Sequence, residues 1–206
     1  AAYYGDGFFA NHIFWPKEHF MRLVGFYRQR YAHYGHGTEQ QAIVGLGGQA
    51  YLARRSQDAI AEFRPYFNEA PVYGHGPSLE EFSEMTPLSV GSPQEVIDKT
   101  LTFREHFGDY QRQLFLVDHA GLPLETVLDQ LELLGGEVVP TLRREMAARR
   151  DPEVPDGPTH ASLVEAKYGD RPPRQPRPNA NRGDNVTGAS PYRDTDPDLQ
   201  ARSPSL

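Results

Sequence analysis

Residues 88–143 constrain the fold more than any other stretch, because they set helix, strand and helix signals in one unbroken order. Ser92 can cap a helix through its hydroxyl, Pro93 suits the first helical position, and Glu95 can reach back to the cap amide. Behind that box, Val96, Ile97, Leu101, Phe103 and Phe107 recur at helical spacing. After the Gly108-Asp109 break, Leu114-Phe115-Leu116-Val117 is a continuous apolar run, as expected of a strand buried on both faces. Gly121-Leu122-Pro123 then opens a helix with Leu124, Val127, Leu128, Leu131 and Leu134 along one side. Helix, buried strand, helix is the rhythm of a parallel α/β protein.

The same rhythm runs backwards toward the start. Ala1 to Tyr4 read as the last turn of a helix ended by Gly5 or Gly7, so the chain is expected to be a fragment lacking an N-terminal half. Phe8 to Trp15 form a first strand stopped by Pro16. A helix follows from about Lys17 to Tyr34, with Phe20, Val24, Tyr27 and Tyr31 as its stripe. Ala42 to Gly47 form a second strand, and the cap-like Ser56 leads a helix carrying Ile60, Phe63 and Phe67. Residues 69–87 are a Gly/Pro-rich connection with a second capping box at Ser78 and Glu81. A connection that long is usually functional or mobile. Gly135-Gly136 is expected to break the final helix, with Pro140 in the first turn of a continuation to about Arg149. Three strand-helix repeats imply parallel strands with right-handed crossovers.

Composition narrows the function. The net charge of -7 argues against a partner gripped through its phosphates, so no nucleic acid is expected. Cysteine is absent, which excludes disulfides, thiolate metal sites and a Cys nucleophile, and is compatible with the cytoplasm. No apolar run approaches the ~20 residues that span a bilayer. A mean hydropathy of -0.64 is low beside 38% apolar residues, as a segregated polar tail would make it. Ten of the 18 prolines do fall after Arg150, among Arg, Asp, Asn and Gly. Residues 1–150 are therefore read as the folded part and 151–206 as a disordered tail. The Arg182-Gly183-Asp184 tripeptide and the Asn185-Val186-Thr187 sequon within it are short enough to arise by chance.

Local motifs are weak. Gly45-Leu46-Gly47-Gly48 lacks the third glycine of a dinucleotide fingerprint, and close backbone approach in a strand is the better account. His33 and His36 have no carboxylate cluster beside them, so no metal site is expected. No nucleophile elbow or phosphate-cradling loop is present.

Taken together, the segments VGSPQEVIDK, GLPLETVLDQLELLG and EVVPTLRRE resemble the C-terminal end of the bacterial luciferase-like flavin monooxygenases. YYGDGFFANHIFWP and VGLGGQAYLARRSQDAIAEFRPYF resemble one actinobacterial-type branch of FMN-dependent enzymes. The resemblance covers roughly residues 1–150 and rests on order and spacing rather than on a catalytic signature. It implies the C-terminal portion of a TIM (β/α)8 barrel, about three βα units of a fold that needs about 250 residues. Three units alone would leave two sheet edges and apolar strand faces open. It also implies reduced FMN, supplied by a separate NAD(P)H-dependent flavin reductase, reacting with O2 to oxidise an aldehyde or another small organic substrate. Family members often dimerise, so a homodimer is possible.

Barrel chemistry gathers at the C-terminal ends of the strands. Those ends carry Asn11, His12, Phe14 and Trp15, then Gly47 to Gln49, then Asp118 and His119. His12 is the catalytic candidate, with Asn11 and Trp15 as cofactor contacts. The bland reading makes His12 a satisfied interior group and Phe14 and Trp15 barrel filling. Asp118 and His119 equally suit capping of the next helix. Tyr73 and His75 sit in the long connection, where the family places a lid. Two other readings stay open: a deazaflavin-dependent oxidoreductase on the same scaffold, and a non-catalytic flavin-binding protein.

Overall fold

The structure, a computed structural model, describes residues 1–11, 14–71, 73, 76–119 and 121–169. They fall into two units, Ala1–Gly157 and Pro158–Leu206. In the second, the described part holds one helix, α7 (His160–Tyr168), capped by the Thr159 hydroxyl. The remainder of the expected tail lies outside the described residues.

The first unit is built on one parallel sheet. Its strands are β1 (Phe8–Ala10), β2 (Val44–Leu52), β3 (Ser89–Gly91) and β4 (Arg112–Leu116), and every pairing runs through β2. β1 pairs Phe8 with Val44 and Ala10 with Leu46. β4 pairs Gly45 with Arg112 through Gln49 with Leu116. β3 pairs Ala50 with Ser89 through Leu52 with Gly91. Phe8 N donates to Ile43 O (2.9 Å) and Ala53 N to Gly91 O (3.3 Å), both from odd-numbered positions of this strand and its flanks. Gln111 N donates to Val44 O (2.9 Å), an even-numbered position. Since backbone groups alternate sides along a strand, β3 continues the edge that β1 begins, and β4 holds the opposite edge.

The helices of this unit are α1 (Lys17–His33), α2 (Ser56–Glu69), α3 (Leu79–Met85), α4 (Pro93–Phe107), α5 (Leu124–Leu133) and α6 (Val139–Arg149). Val44 and Leu46 turn to α1 and α4 and are buried with Val24, Tyr27, Phe103 and Phe107. Farther along, Ala50 and Leu52 pack with Val96, Ile97, Leu133, Val138 and Leu142. Tyr51 points the other way and meets Phe63, Phe67, Tyr73, Leu79 and Phe82 of α2, α3 and the chain between them. Both capping boxes form: Ser78 with Glu81 ahead of α3, and Ser92 with Glu95 ahead of α4, where Pro93 takes the first turn. At the start of the chain, Ala2–Tyr4 is a 3-10 turn ended by Gly5.

Several expectations are corrected. β1 stops at Ala10 instead of reaching Trp15, and β3 takes up the same edge of β2 from Ala50 on. β2 runs on to Leu52, held from both sides. Ser56 is the first residue of α2, and Arg55 holds the cap position with no side-chain cap bond. The strand at 112–116 is not buried on both faces: Leu114 is 53% and Leu116 36% exposed. On α5 the expected stripe holds only in part: Val127 and Leu134 pack against the core. Leu124, Leu128 and Leu131 face solvent while Gln130 and Leu133 are buried. The reason is polar: Gln130 Oε1 accepts from Leu52 N (3.1 Å) and its Nε2 donates to Val117 O (3.4 Å), tying α5 to two strand ends. Gly135-Gly136 does not break the helix; a π turn over Leu134–Val138 carries α5 into α6. Pro140 has no N–H to give Gly136, and a wider turn absorbs that missing bond.

Candidate functional site at the ends of the strands

The odd-numbered face of β2 starts with two glycines. A Cβ on Gly45 would lie 2.8 Å from Phe9 Cδ2, and one on Gly47 would lie 2.9 Å from Asn11 Oδ1 and 3.3 Å from Asn11 Cα. The glycines let the β1 side chains fold flat across β2, so the run is a close-approach strand and not a phosphate loop. Phe9 (46% exposed), Leu114 (53%) and Leu116 (36%) share this face with the exposed Arg112, which pairs with Gly45. Apolar side chains are thus partly exposed on this face, beside the polar Arg112 and Asn11.

Toward the strand ends the same face becomes polar and then closes. Gln49 is buried, and Tyr73 Oη donates to its Oε1 at 2.7 Å. Tyr73 also stacks on Phe67 (centroids 4.4 Å) and meets Phe14 edge-on at 6.1 Å. Burial pushes the Tyr73 hydroxyl up to about 12, against the Gln49 bond that lowers it, so it is a neutral donor at any physiological pH. The long connection is thus docked on β2 through Tyr73. Gln49 is the partner that sequence patterning places only as the end of a strand.

His119, at the end of β4, does not cap α5, whose cap residue is Pro123 without a side-chain bond. Its ring is buried against Phe63 (4.7 Å), with Nε2 3.2 Å from Ala50 O. A carbonyl can only accept, so Nε2 carries the hydrogen and Nδ1 is the free acceptor of a neutral ring. Burial holds its pKa below the ordinary 6.5, with Ala50 and Asp118 opposing.

The remaining candidates separate. Asn11 is exposed beside Gly47. Trp15 is 58% exposed and stacks on His19 of α1 (5.2 Å). Phe14 and Tyr73 meet; His12 and His75 lie outside the described residues. Among the described residues no three His, Asp or Glu side chains gather as metal ligands, and no helix is long and apolar enough to cross a membrane. A cleft of ≈ 670 Å³ beyond Leu52 is lined by Glu62, Asp129, Glu132 and Glu137 with Arg54. Its carboxylates make it a poor seat for a phosphate.

A parallel sheet with helices packed along it, and a glycine-floored surface left partly open beside Phe9 and Leu114, defines an α/β protein. The profile of the family described as luciferase-like monooxygenase matches residues 1–110, and the chain belongs to that family. Among solved structures, the monooxygenase RslO1 from Streptomyces bottropensis matches with a TM-score of 0.53 at 18% identity, over 68% of this chain and 43% of that one. The riboflavin lyase RcaE, solved with modified FMN and riboflavin, gives 0.46 at 14% identity, over 80% of this chain and 44% of its own. The long-chain alkane monooxygenase LadA gives 0.44 at 18% identity, over 77% and 41%. This chain thus spans less than half the length of each. No curated protein matches it.

Proposed function

We propose that residues 1–150 are the C-terminal portion of a luciferase-like (β/α)8 barrel, about three βα units, in a flavin-dependent monooxygenase. The observation that carries this reading is the bare face of the sheet, Gly45 and Gly47 between Phe9 and the Leu114–Leu116 pair, on strands that all run one way. A barrel completed by further units would turn that face inward. Reduced FMN suits such a surface, with the exposed Asn11 amide at its edge. When bound, FMN would supply the activation of O2 that oxidises an aldehyde or other small organic substrate. In this reading Asn11 and Trp15 contact the cofactor, and His12 is the acid–base group beside it. Tyr73 and His75 belong to a segment that excludes water from above. A separate NAD(P)H-dependent flavin reductase would provide the reduced cofactor.

The test is to join the N-terminal units of a luciferase-like barrel to Ala1, and to supply reduced FMN and O2. An oxygenated organic product supports the proposal. Hydrogen peroxide alone would leave a flavin-binding protein without monooxygenation, and a deazaflavin spectrum in the purified protein would replace FMN by that cofactor.

A further inference from the structure

Away from the bare face, a cleft of ≈ 430 Å³ opens between the start of α1, α2, α3, β3 and α4. This volume lies within the range of small-ligand pockets. Ile60, Leu79 and Val90 give it an apolar floor, and two cations stand in its wall, Lys17 and Lys99. Neither lysine forms an ion pair among the described residues. Glu80 lines the same cleft but is engaged by both terminal nitrogens of Arg64. Glu84 stands exposed at the rim.

The two lysines differ. Lys99 Nζ donates to Ser83 O, Ser83 Oγ and Leu88 O, which fixes its position and uses all three of its hydrogens. Lys17 makes no hydrogen bond among the described residues and keeps its donors for something else. Burial, and then the charge of Lys17, push Lys99 down to about 7. Glu80 is held by Arg64 and Glu84 lies at the rim, and neither forms an ion pair with Lys17 or Lys99 among the described residues, so two cations facing one partly dry cleft repel each other until an anion comes between them.

We propose that this cleft is a ligand site for an organic anion with a short apolar body, a medium-chain carboxylate being the simplest case. The head would lie between Lys17, its hydrogen-bond donor, and Lys99, whose ammonium form an adjacent anion would favour; the tail would lie on Ile60, Leu79 and Val90. This site is separate from the bare strand face and needs no flavin.

Octanoate titrated into the full chain by calorimetry tests it, with octan-1-ol as the uncharged match and methyl NMR to locate the ligand. Octanoate is expected to bind saturably, raise Tm and shift the methyl signals of Ile60, Leu79 and Val90. Octan-1-ol should bind at least about fivefold more weakly, and Lys17→Met should weaken octanoate about fivefold to tenfold while leaving octan-1-ol unchanged. Lys17 is at the surface of the cleft, so this variant should fold. Absence of saturable octanoate binding, equal affinity for the alcohol, an unchanged Lys17→Met variant, or shifts confined to residues outside the cleft would each overturn the proposal.

Discussion

Tyr73 Oη donates to Gln49 Oε1 at 2.7 Å, with both side chains buried, and so a residue of the long α2–α3 connection is fastened to the central strand. Removing only the hydroxyl leaves a buried carboxamide oxygen without its donor. Tyr73→Phe should therefore cost about 1–3 kcal/mol. Gln49→Leu added to Tyr73→Phe should recover part of it, since replacing both partners by apolar groups is nearly neutral. A double-mutant cycle by urea denaturation checks this, and a coupling energy near zero would contradict it.

Gly45 and Gly47 should respond unequally to the same methyl group. On Gly45 the new Cβ meets the Phe9 ring, 46% exposed and able to swing toward solvent. On Gly47 it meets the Asn11 Cα as well as its side chain, and backbone cannot swing. Gly47→Ala should cost about 1–3 kcal/mol and Gly45→Ala less than half of that. Thermal unfolding of the two variants settles the order; equal losses would mean that Phe9 is pinned by something else.

What could be read from the sequence was what local chemistry decides. The Ser78 and Ser92 boxes need only a hydroxyl and a carboxylate three residues apart, and both form. The stripes on α1, α2 and α4 repeat at 3.6 residues and are the buried faces. Features that depend on distant partners were hidden. β3 has three residues and no alternation to detect, and it is a strand only because β2 extends beside it. Leucines on α5 outnumber its buried positions, and the decision falls to Gln130, whose two partners are 78 and 13 residues away. Of the site, the bare glycine face was legible as a close-approach strand, while the Tyr73–Gln49 bond joins a loop to a strand that no pattern links.

His119 should give the stability of the fold a distinctive acid limb. Its folded pKa lies below the unfolded value of 6.5, so between the two the unfolded chain binds more protons. Stability then rises with pH across that window and falls as pH drops below 6.5, by at most about 1.4 kcal/mol per unit for this one proton. Above 6.5 both states are neutral and the contribution is flat. His119→Gln keeps a donor for Ala50 O and removes the titration. Denaturation midpoints of the two proteins should run parallel above neutrality and diverge on acidification, with wild type falling faster. Parallel curves down to pH of about 5 would mean that the ring is not held neutral.

Leu114 and Val117 lie on the two sides of the β4 end, and a lysine at each separates the chain alone from the completed barrel. Val117 is 6% exposed within the helix-side core, so Val117→Lys places an unpaired charge there and should cost about 3–5 kcal/mol in any context. Leu114 is 53% exposed on the bare face. Leu114→Lys in this chain should stay within about 0.5 kcal/mol of wild type, as surface changes do. If further barrel units turn the same face inward, as proposed, Leu114→Lys in the longer protein should approach the cost of Val117→Lys and abolish flavin binding. Urea denaturation of both variants in both contexts, with flavin fluorescence in the longer one, reads the difference. If Leu114→Lys is tolerated in the longer protein as well as in the chain alone, the bare face is not a barrel interior.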